Sequence, residues 1–169
     1  PYSVARIGSV YAARYYRTLG IPTYVGYLFH HESPYRNCSH VSKMIAEAVR
    51  RIDAGSSEKI TIGDLTVRKE WTFAGDVVEG MMTLVLQDEV FEAVIGSGMA
   101  YSIENWLETC FGLIGKNWKD YVVCREGFRP DYSILVSDPT TINRLGWRPK
   151  TSFQQLAEMK IRELPEETA

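Results

Sequence analysis

The spacing of apolar residues along this chain predicts helices and strands that alternate from one end to the other. Apolar positions three to four residues apart indicate amphipathic helices, and short runs rich in branched and aromatic residues indicate strands. The predicted helices span residues 3–18, 41–52, 77–86 and 103–114, with a short helix after 138 and a last one after 151. The predicted strands span 23–29, which is apolar enough to be buried, 59–62, 91–95, 121–124 and 134–136. Such alternation is typical of the α/β class.

Capping residues stand where three of these helices are predicted to begin. Ser102 is a suitable N-cap for the fourth helix. Asp138 is followed by Pro139, which fits an N-cap with proline at the first helical position. Thr151 and Gln154 have the spacing of a capping box for the last helix.

Length and composition narrow the class of protein. The 169 residues, 45% hydrophobic and 24% charged, predict one globular domain over residues 1–169. A formal net charge of -2 gives no general attraction for nucleic acid, and no apolar stretch approaches the ~20 residues that span a bilayer. Three cysteines without a CxxC pair predict reduced thiols and a cytoplasmic location. Because the chain opens on Pro1 and enters a helical pattern at once, we expect it to be part of a longer protein.

Two conspicuous features are interpreted as structural. Gly96 and Gly98 lie between a predicted strand and a predicted helix, where dinucleotide-binding loops occur, but Tyr101 stands where the third glycine of that fingerprint belongs. We therefore predict a tight turn there. Trp71 and Trp106 are predicted to be packing residues, because large aromatic side chains are mostly buried.

The pair Tyr2 and Arg6 is a candidate catalytic unit. One helical turn separates them, so both side chains lie on one face of the first helix. A cation at that distance favours the ionised form of a phenol and helps it act as an acid or base. The YxxxR spacing is common by chance, so its interpretation depends on the rest of the chain.

Seven short motifs follow one another along the chain, and their order and spacing carry a resemblance. They are LFHHESPYR at 28–36, GDL at 63–65, EW at 70–71, DVVE at 76–79, FRP at 128–130, SDP at 137–139 and LGWRPK at 145–150. This set resembles the C-terminal half of GDP-mannose 4,6-dehydratases, which are extended short-chain dehydrogenase/reductases. The resemblance implies the end of a Rossmann sheet followed by a small substrate-binding α/β subdomain, with the N-terminal Rossmann half outside this chain.

The same resemblance implies an activity for the parent protein. Members of the family bind NADP in the Rossmann half and a nucleotide sugar in the smaller half. They oxidise C4 of the hexose, eliminate water across C5–C6 and return the hydride to C6. We therefore expect the parent to convert GDP-mannose to GDP-4-keto-6-deoxymannose as a homo-oligomer, and this chain alone to be inactive.

The resemblance also assigns roles to residues that match family positions. Tyr2 matches the tyrosine that removes the C4 hydroxyl proton. Arg6 matches the lysine that contacts the nicotinamide ribose and tunes that tyrosine. His31 and Arg36 match further contacts to the cofactor.

The substrate-binding side is assigned in the same way. His30 and Lys69 match positions that contact the substrate phosphate, and Arg129 matches an arginine that helps to clamp the diphosphate. No metal site is predicted, since His30 and His31 point to opposite sides of an extended segment.

Three replacements leave other functions open. Arg6 stands where the family has lysine, His30 where it has asparagine, and Lys69 where it has arginine. A guanidinium is bulkier and more planar than an ammonium group, so these replacements are not conservative. They favour a non-catalytic nucleotide-binding homologue as one alternative. A sugar-nucleotide epimerase or 4-ketoreductase of the same superfamily is another.

Overall fold

The computed structural model describes residues 1–125 and 127–162, which form six α-helices, one 3-10 helix at Trp118–Asp120 and nine short strands. The helices are α1 Tyr2–Thr18, α2 Val41–Asp53, α3 Ala74–Val85, α4 Ile103–Gly112, α5 Thr140–Arg144 and α6 Phe153–Arg162. The strands are β1 Val25–Leu28, β2 His31–Glu32, β3 Ile60–Ile62, β4 Arg68–Glu70, β5 Thr72–Phe73, β6 Glu92–Ile95, β7 Ala100–Ser102, β8 Val122–Cys124 and β9 Ile134–Leu135. The α/β class predicted from the sequence is confirmed.

The strands pair into four small sheets, most of them parallel. β1 runs parallel to β6, β2 to β5, and β3 to β8. The fourth sheet has the order β7-β4-β9, in which β4 is antiparallel to β7 and parallel to β9. This arrangement places the ends of β2 and β4 side by side, where the candidate site lies.

The larger apolar core lies between α2, α4 and α6. Trp71 and Trp106 stack at its centre with ring centroids 4.7 Å apart, and Phe153 packs edge-on against both rings. Each indole N–H is satisfied by a backbone carbonyl. The prediction that these tryptophans are packing residues is confirmed. A smaller core beneath β1 and β6 contains Trp147.

The prediction that the first strand is buried is wrong. Val25 is half-buried, whereas Gly26, Tyr27 and Leu28 are exposed. Among the described residues β1 pairs only with β6, so its other edge faces solvent. An apolar run records the propensity for a strand but not whether a neighbour covers both of its sides.

Of the three predicted caps, one is confirmed and two are shifted by one residue. Pro139, not Asp138, is the N-cap residue of α5, so the helix begins at Thr140. The Ser102 hydroxyl caps α4 by accepting a hydrogen bond from the backbone N–H of Asn105. The Asn105 side-chain oxygen in turn accepts one from the backbone N–H of Ser102. The box at the start of α6 consists of Ser152 and Gln155, one residue later than predicted. Within residues 1–125 and 127–162, none of the helices combines the length and apolar character that crossing a membrane requires.

Candidate functional site

A fully buried ion pair ties the last helix to the segment that carries the histidines. Lys160 of α6 donates to Glu32 of β2 at 2.7 Å and to the hydroxyl of Ser42 at 3.1 Å, and Ser42 in turn donates to Glu32. Burial by itself would raise the pKa of Glu32, but the charge and hydrogen bond of Lys160 outweigh it and hold that pKa below its usual range. Glu32 is therefore a buried carboxylate that depends on Lys160.

His30 lies between this ion pair and Lys69. Its Nδ1 is 2.8 Å from the carbonyl oxygen of Glu70, which only a donor can satisfy. Its Nε2 is 3.1 Å from the Nζ of Lys69 and 3.3 Å from the Oε1 of Glu32. Burial, with the charge of Lys69, lowers the pKa of His30 to about 4. At neutral pH His30 is thus uncharged, donates through Nδ1 and accepts from Lys69 through Nε2.

A cavity of about 360 Å³, here called the Lys69 cavity, opens beside this histidine. Lys69 lies in its wall and is 9% exposed, and Phe128 and Tyr132 supply aromatic surface. The ring of Phe128 packs on Gly63, where an added Cβ would lie 2.8 Å from a ring carbon. Burial lowers the pKa of Lys69. The cavity therefore offers Lys69 and Arg125 beside two aromatic rings, with Asp64 and Asp131 also in its wall.

Arg129 is placed differently from Lys69. Its neighbours Phe128 and Pro130 line the Lys69 cavity, whereas Arg129 is exposed and is not among the described residues that line it. The structure therefore brings His30 and Lys69 together but leaves Arg129 at the rim.

Tyr2 and Arg6 meet as the sequence predicted. The Nε of Arg6 donates to the hydroxyl oxygen of Tyr2 at 3.1 Å, and the guanidinium carbon lies 5.1 Å from the ring centroid. Both residues line a cavity of about 710 Å³ between α1 and β1, here called the Tyr2 cavity, which His31 also lines. The geometry therefore places a hydrogen-bond donor on the phenol oxygen at the wall of this cavity.

Arg36 lies in a smaller pocket of about 430 Å³ that includes His30 and His31. Its Nε is buried and has no hydrogen-bond partner among the described residues. An unpaired buried donor is uncommon and costs free energy until a partner arrives. The three residues assigned to the cofactor thus lie on two adjoining cavities that share His31.

Glu70 organises this region, although the sequence indicated it only as part of a motif. Its side chain is fully buried and accepts hydrogen bonds from the backbone N–H groups of Ser97, Gly98 and Ser137. A Cβ at Gly96 would overlap the Glu70 carboxylate, so this position requires glycine. The 96–98 turn is therefore shaped around a carboxylate of the protein itself.

The neutral state of His30 predicts a pH dependence of stability. An unfolded histidine gains a proton as the pH falls below about 6.5, whereas folded His30 resists it down to about 4. The free energy of unfolding should therefore fall across this range by on the order of 3 kcal/mol because of this residue. Chemical denaturation at several pH values checks this. The fall should be smaller in His30→Gln, and an identical pH profile in that variant would refute the assignment.

Comparison with known proteins gives the family. The family model for GDP-mannose 4,6 dehydratase matches residues 1–160. GDP-mannose 4,6 dehydratase 2 of Arabidopsis thaliana is 34% identical over 96% of this chain and 45% of its own length. The human GDP-mannose 4,6 dehydratase is 30% identical over 80% of this chain and 42% of its own length. The chain spans about half the length of the curated relatives it matches.

Solved structures with the same fold are more distant in sequence. RMD from Pseudomonas aeruginosa, complexed with NADPH, superposes with a TM-score of 0.86 at 19% identity over 97% of this chain and 56% of its own. The dTDP-glucose 4,6-dehydratase of Bacillus anthracis, in complex with NAD, superposes with a TM-score of 0.76 at 20% identity over 95% of this chain and 50% of its own. At these identities the likeness shows a shared fold alone. By the family match over residues 1–160, the chain belongs to the GDP-mannose 4,6-dehydratase family.

Proposed function

We propose that this chain supplies the nucleotide-sugar-binding part of an NADP-dependent enzyme that converts GDP-mannose to GDP-4-keto-6-deoxymannose. The observation that carries the proposal is the Lys69 cavity, in a chain whose family is named for this reaction. A buried ammonium group beside aromatic rings suits a nucleoside diphosphate, because the charge attracts phosphate and the rings pack on a base.

The chain's own residues would share the work of binding and proton transfer. The Tyr2 hydroxyl would take the proton from the C4 hydroxyl of the sugar, with the Arg6 Nε donating to the phenol oxygen. Lys69 would hold the diphosphate, with Arg129 at the rim. His30, half-buried and packed edge-on against Trp71, would fix the position of the Lys69 ammonium group.

The described residues also fit NADP. The unpaired Nε of Arg36 and the guanidinium of Arg6 suit a ligand rich in phosphate and ribose oxygens, and His31 lies between their cavities. NADP, when bound, supplies the oxidising and reducing power for the internal redox cycle on the sugar. A Rossmann half would complete that site. This chain spans about half the length of its relatives.

Titration of the chain with GDP in a calorimeter tests the binding proposal. Lys69→Met should weaken GDP binding by tenfold or more, since a charge-assisted hydrogen bond contributes ~1.5–3 kcal/mol. Lys150→Met is the matched control, because it removes an exposed lysine that is not among the described residues lining the Lys69 cavity. It should bind GDP as the wild type does. Equal affinity for all three proteins would contradict a phosphate-binding role for Lys69.

A turnover assay tests whether this chain is inactive by itself. The chain alone, incubated with GDP-mannose and NADP, should form no 4-keto-6-deoxy sugar, because it spans about half the length of its relatives. Measurable product would show that these 169 residues suffice.

We also propose that α1 packs against a second copy of the chain. None of its 17 residues is buried, and it exposes a row of apolar side chains that includes Ile7, Tyr11 and Tyr15. Exposed apolar patches favour association. Sedimentation should therefore show a dimer that Tyr11→Glu weakens, while Tyr35→Glu, at an exposed loop position, should leave it intact. A monomer at high concentration would contradict the proposal.

A further inference from the structure

The Nε2 atom of His30 has two possible partners and can satisfy only one. Because Nδ1 donates to the Glu70 carbonyl, a neutral His30 has a lone pair at Nε2 and accepts from Lys69. A protonated His30 has an N–H there and donates to Glu32 instead. The two distances, 3.1 Å to Lys69 and 3.3 Å to Glu32, differ so little that the ring need hardly move between these states.

The structure shows a cost of the neutral state. The Oε1 atom of Glu32 is buried and has no hydrogen-bond partner among the residues that the structure describes. Buried carboxylate oxygens are rarely left unsatisfied, because the desolvation penalty is then not recovered. A proton on His30 would satisfy this oxygen, so some interaction must hold that proton away.

The charges that face His30 identify that interaction. Burial is the largest effect that disfavours a proton on His30. The Lys69 ammonium group from β4 is the largest unfavourable charge. Arg36, in the loop after β2, adds a smaller unfavourable charge, and Glu32 from β2 favours protonation. From α6, Lys160 reaches the site through Glu32, and from β4 the Glu70 carbonyl favours the proton. Two cations facing the ring, Lys69 and Arg36, thus oppose its protonation.

Lys69 is the cation of this group that a ligand in the Lys69 cavity can reach, whereas Arg36 lines the smaller pocket with His30. Lys69 lies in the wall of the Lys69 cavity, whereas Glu32 and Lys160 are fully buried. A phosphate in that cavity would accept hydrogen bonds from the Lys69 ammonium group and offset its charge. Both effects would release Nε2 from Lys69 and favour a proton on it.

We propose that a phosphate-bearing ligand binds in the Lys69 cavity together with one proton, which His30 takes up at Nε2 and shares with the Oε1 of Glu32. The proton comes from solvent on binding and returns to solvent on release, so no bond to carbon or phosphorus changes. The inference rests on the proposed function only in requiring a phosphate group at Lys69. His30 is then a positioning residue that couples phosphate binding to pH.

One arm of the test needs no ligand. The chain has three histidines, so ¹⁵N NMR can follow the imidazole of His30, assigned by its loss in His30→Gln. In Lys69→Met the pH at which His30 titrates should rise by at least about one unit, and in Lys150→Met it should not. An unchanged titration of His30 in Lys69→Met, or in Lys69→Gln should the first variant unfold, would overturn the proposal.

The second arm uses pyrophosphate and GDP as probes with the wild-type chain. Calorimetry in two buffers of different ionisation enthalpy should detect greater proton uptake in the wild type than in His30→Gln. The affinity of the wild type relative to that of His30→Gln should rise about tenfold between pH 7 and pH 5. This ratio cancels the protonation of the phosphate itself.

The outcomes separate the two proposals. Binding with an unchanged His30 spectrum and with equal proton uptake in both proteins would overturn the coupling and leave the proposed function standing. No binding of either probe would overturn both.

Discussion

Replacement of Lys160 by methionine is expected to lower the free energy of unfolding by about 3–5 kcal/mol. Methionine preserves most of the side-chain volume, so the change removes the charge without opening a large cavity. Glu32, which is fully buried and 2.7 Å from the Lys160 Nζ, then loses its main counter-charge. An uncompensated buried carboxylate is far more costly than the ion pair is favourable.

The surface pair between Lys150 and Glu79 provides the matched control. Its atoms are equally close, at 2.6 Å, but the two side chains are 72% and 52% exposed. Lys150→Met should cost at most about 1 kcal/mol, because water screens such pairs. Combining Lys160→Met with Glu32→Gln should recover part of the loss, since neither charge of this pair is then left without its partner. Equal losses in Lys160→Met and Lys150→Met, measured by chemical denaturation, would show that burial of the pair is unimportant.

Replacement of Glu70 by glutamine is expected to be nearly as damaging, with a loss of about 2–5 kcal/mol. Both carboxylate oxygens accept backbone N–H groups: one from Ser97, the other from Gly98 and Ser137. A glutamine side chain must turn its NH₂ group toward one of these donors, whichever way it is oriented. The substitution is therefore isosteric but leaves at least one of these part-buried donors without its acceptor.

Hydrogen exchange distinguishes this local effect from general unfolding. The amides of Ser97, Gly98 and Ser137 should lose protection in Glu70→Gln, while those of α2 in the main core should change much less. Asp138→Asn is the control, because Asp138 is exposed and accepts from the backbone of Thr140 at 3.0 Å. Unchanged exchange at the three amides would mean that Glu70 does not hold the turn.

Much of the secondary structure could be predicted from local patterns. The helical period of the apolar residues located α1, α2 and α4, and Ser102 marked the start of α4 correctly. The strands β2, β4, β5 and β7 were not predicted, because each has only two or three residues and β4 is the charged stretch Arg68–Glu70. Such strands form where neighbouring backbone supplies the hydrogen bonds, which a local pattern does not contain.

The sequence predicted residues of the candidate site but not which of them contact one another. The sequence placed Tyr2 and Arg6 one turn apart, and helix geometry alone brings such residues together. The motifs identified His30 and Lys69, but nothing local indicated that they touch or that Arg129 lies at the rim. No sequence signal pointed to Lys160, which reaches Glu32 across 128 positions.

The sequence by itself determined the fold class, the family resemblance and the Tyr2–Arg6 pair, because these depend on short spacings and on motifs in order. Only the tertiary structure decided the protonation state of His30, the unpaired oxygen of Glu32 and the burial of Lys69. The physical reason is that each of these depends on desolvation and on charges from β2, β4 and α6. Those elements meet only after the chain has folded.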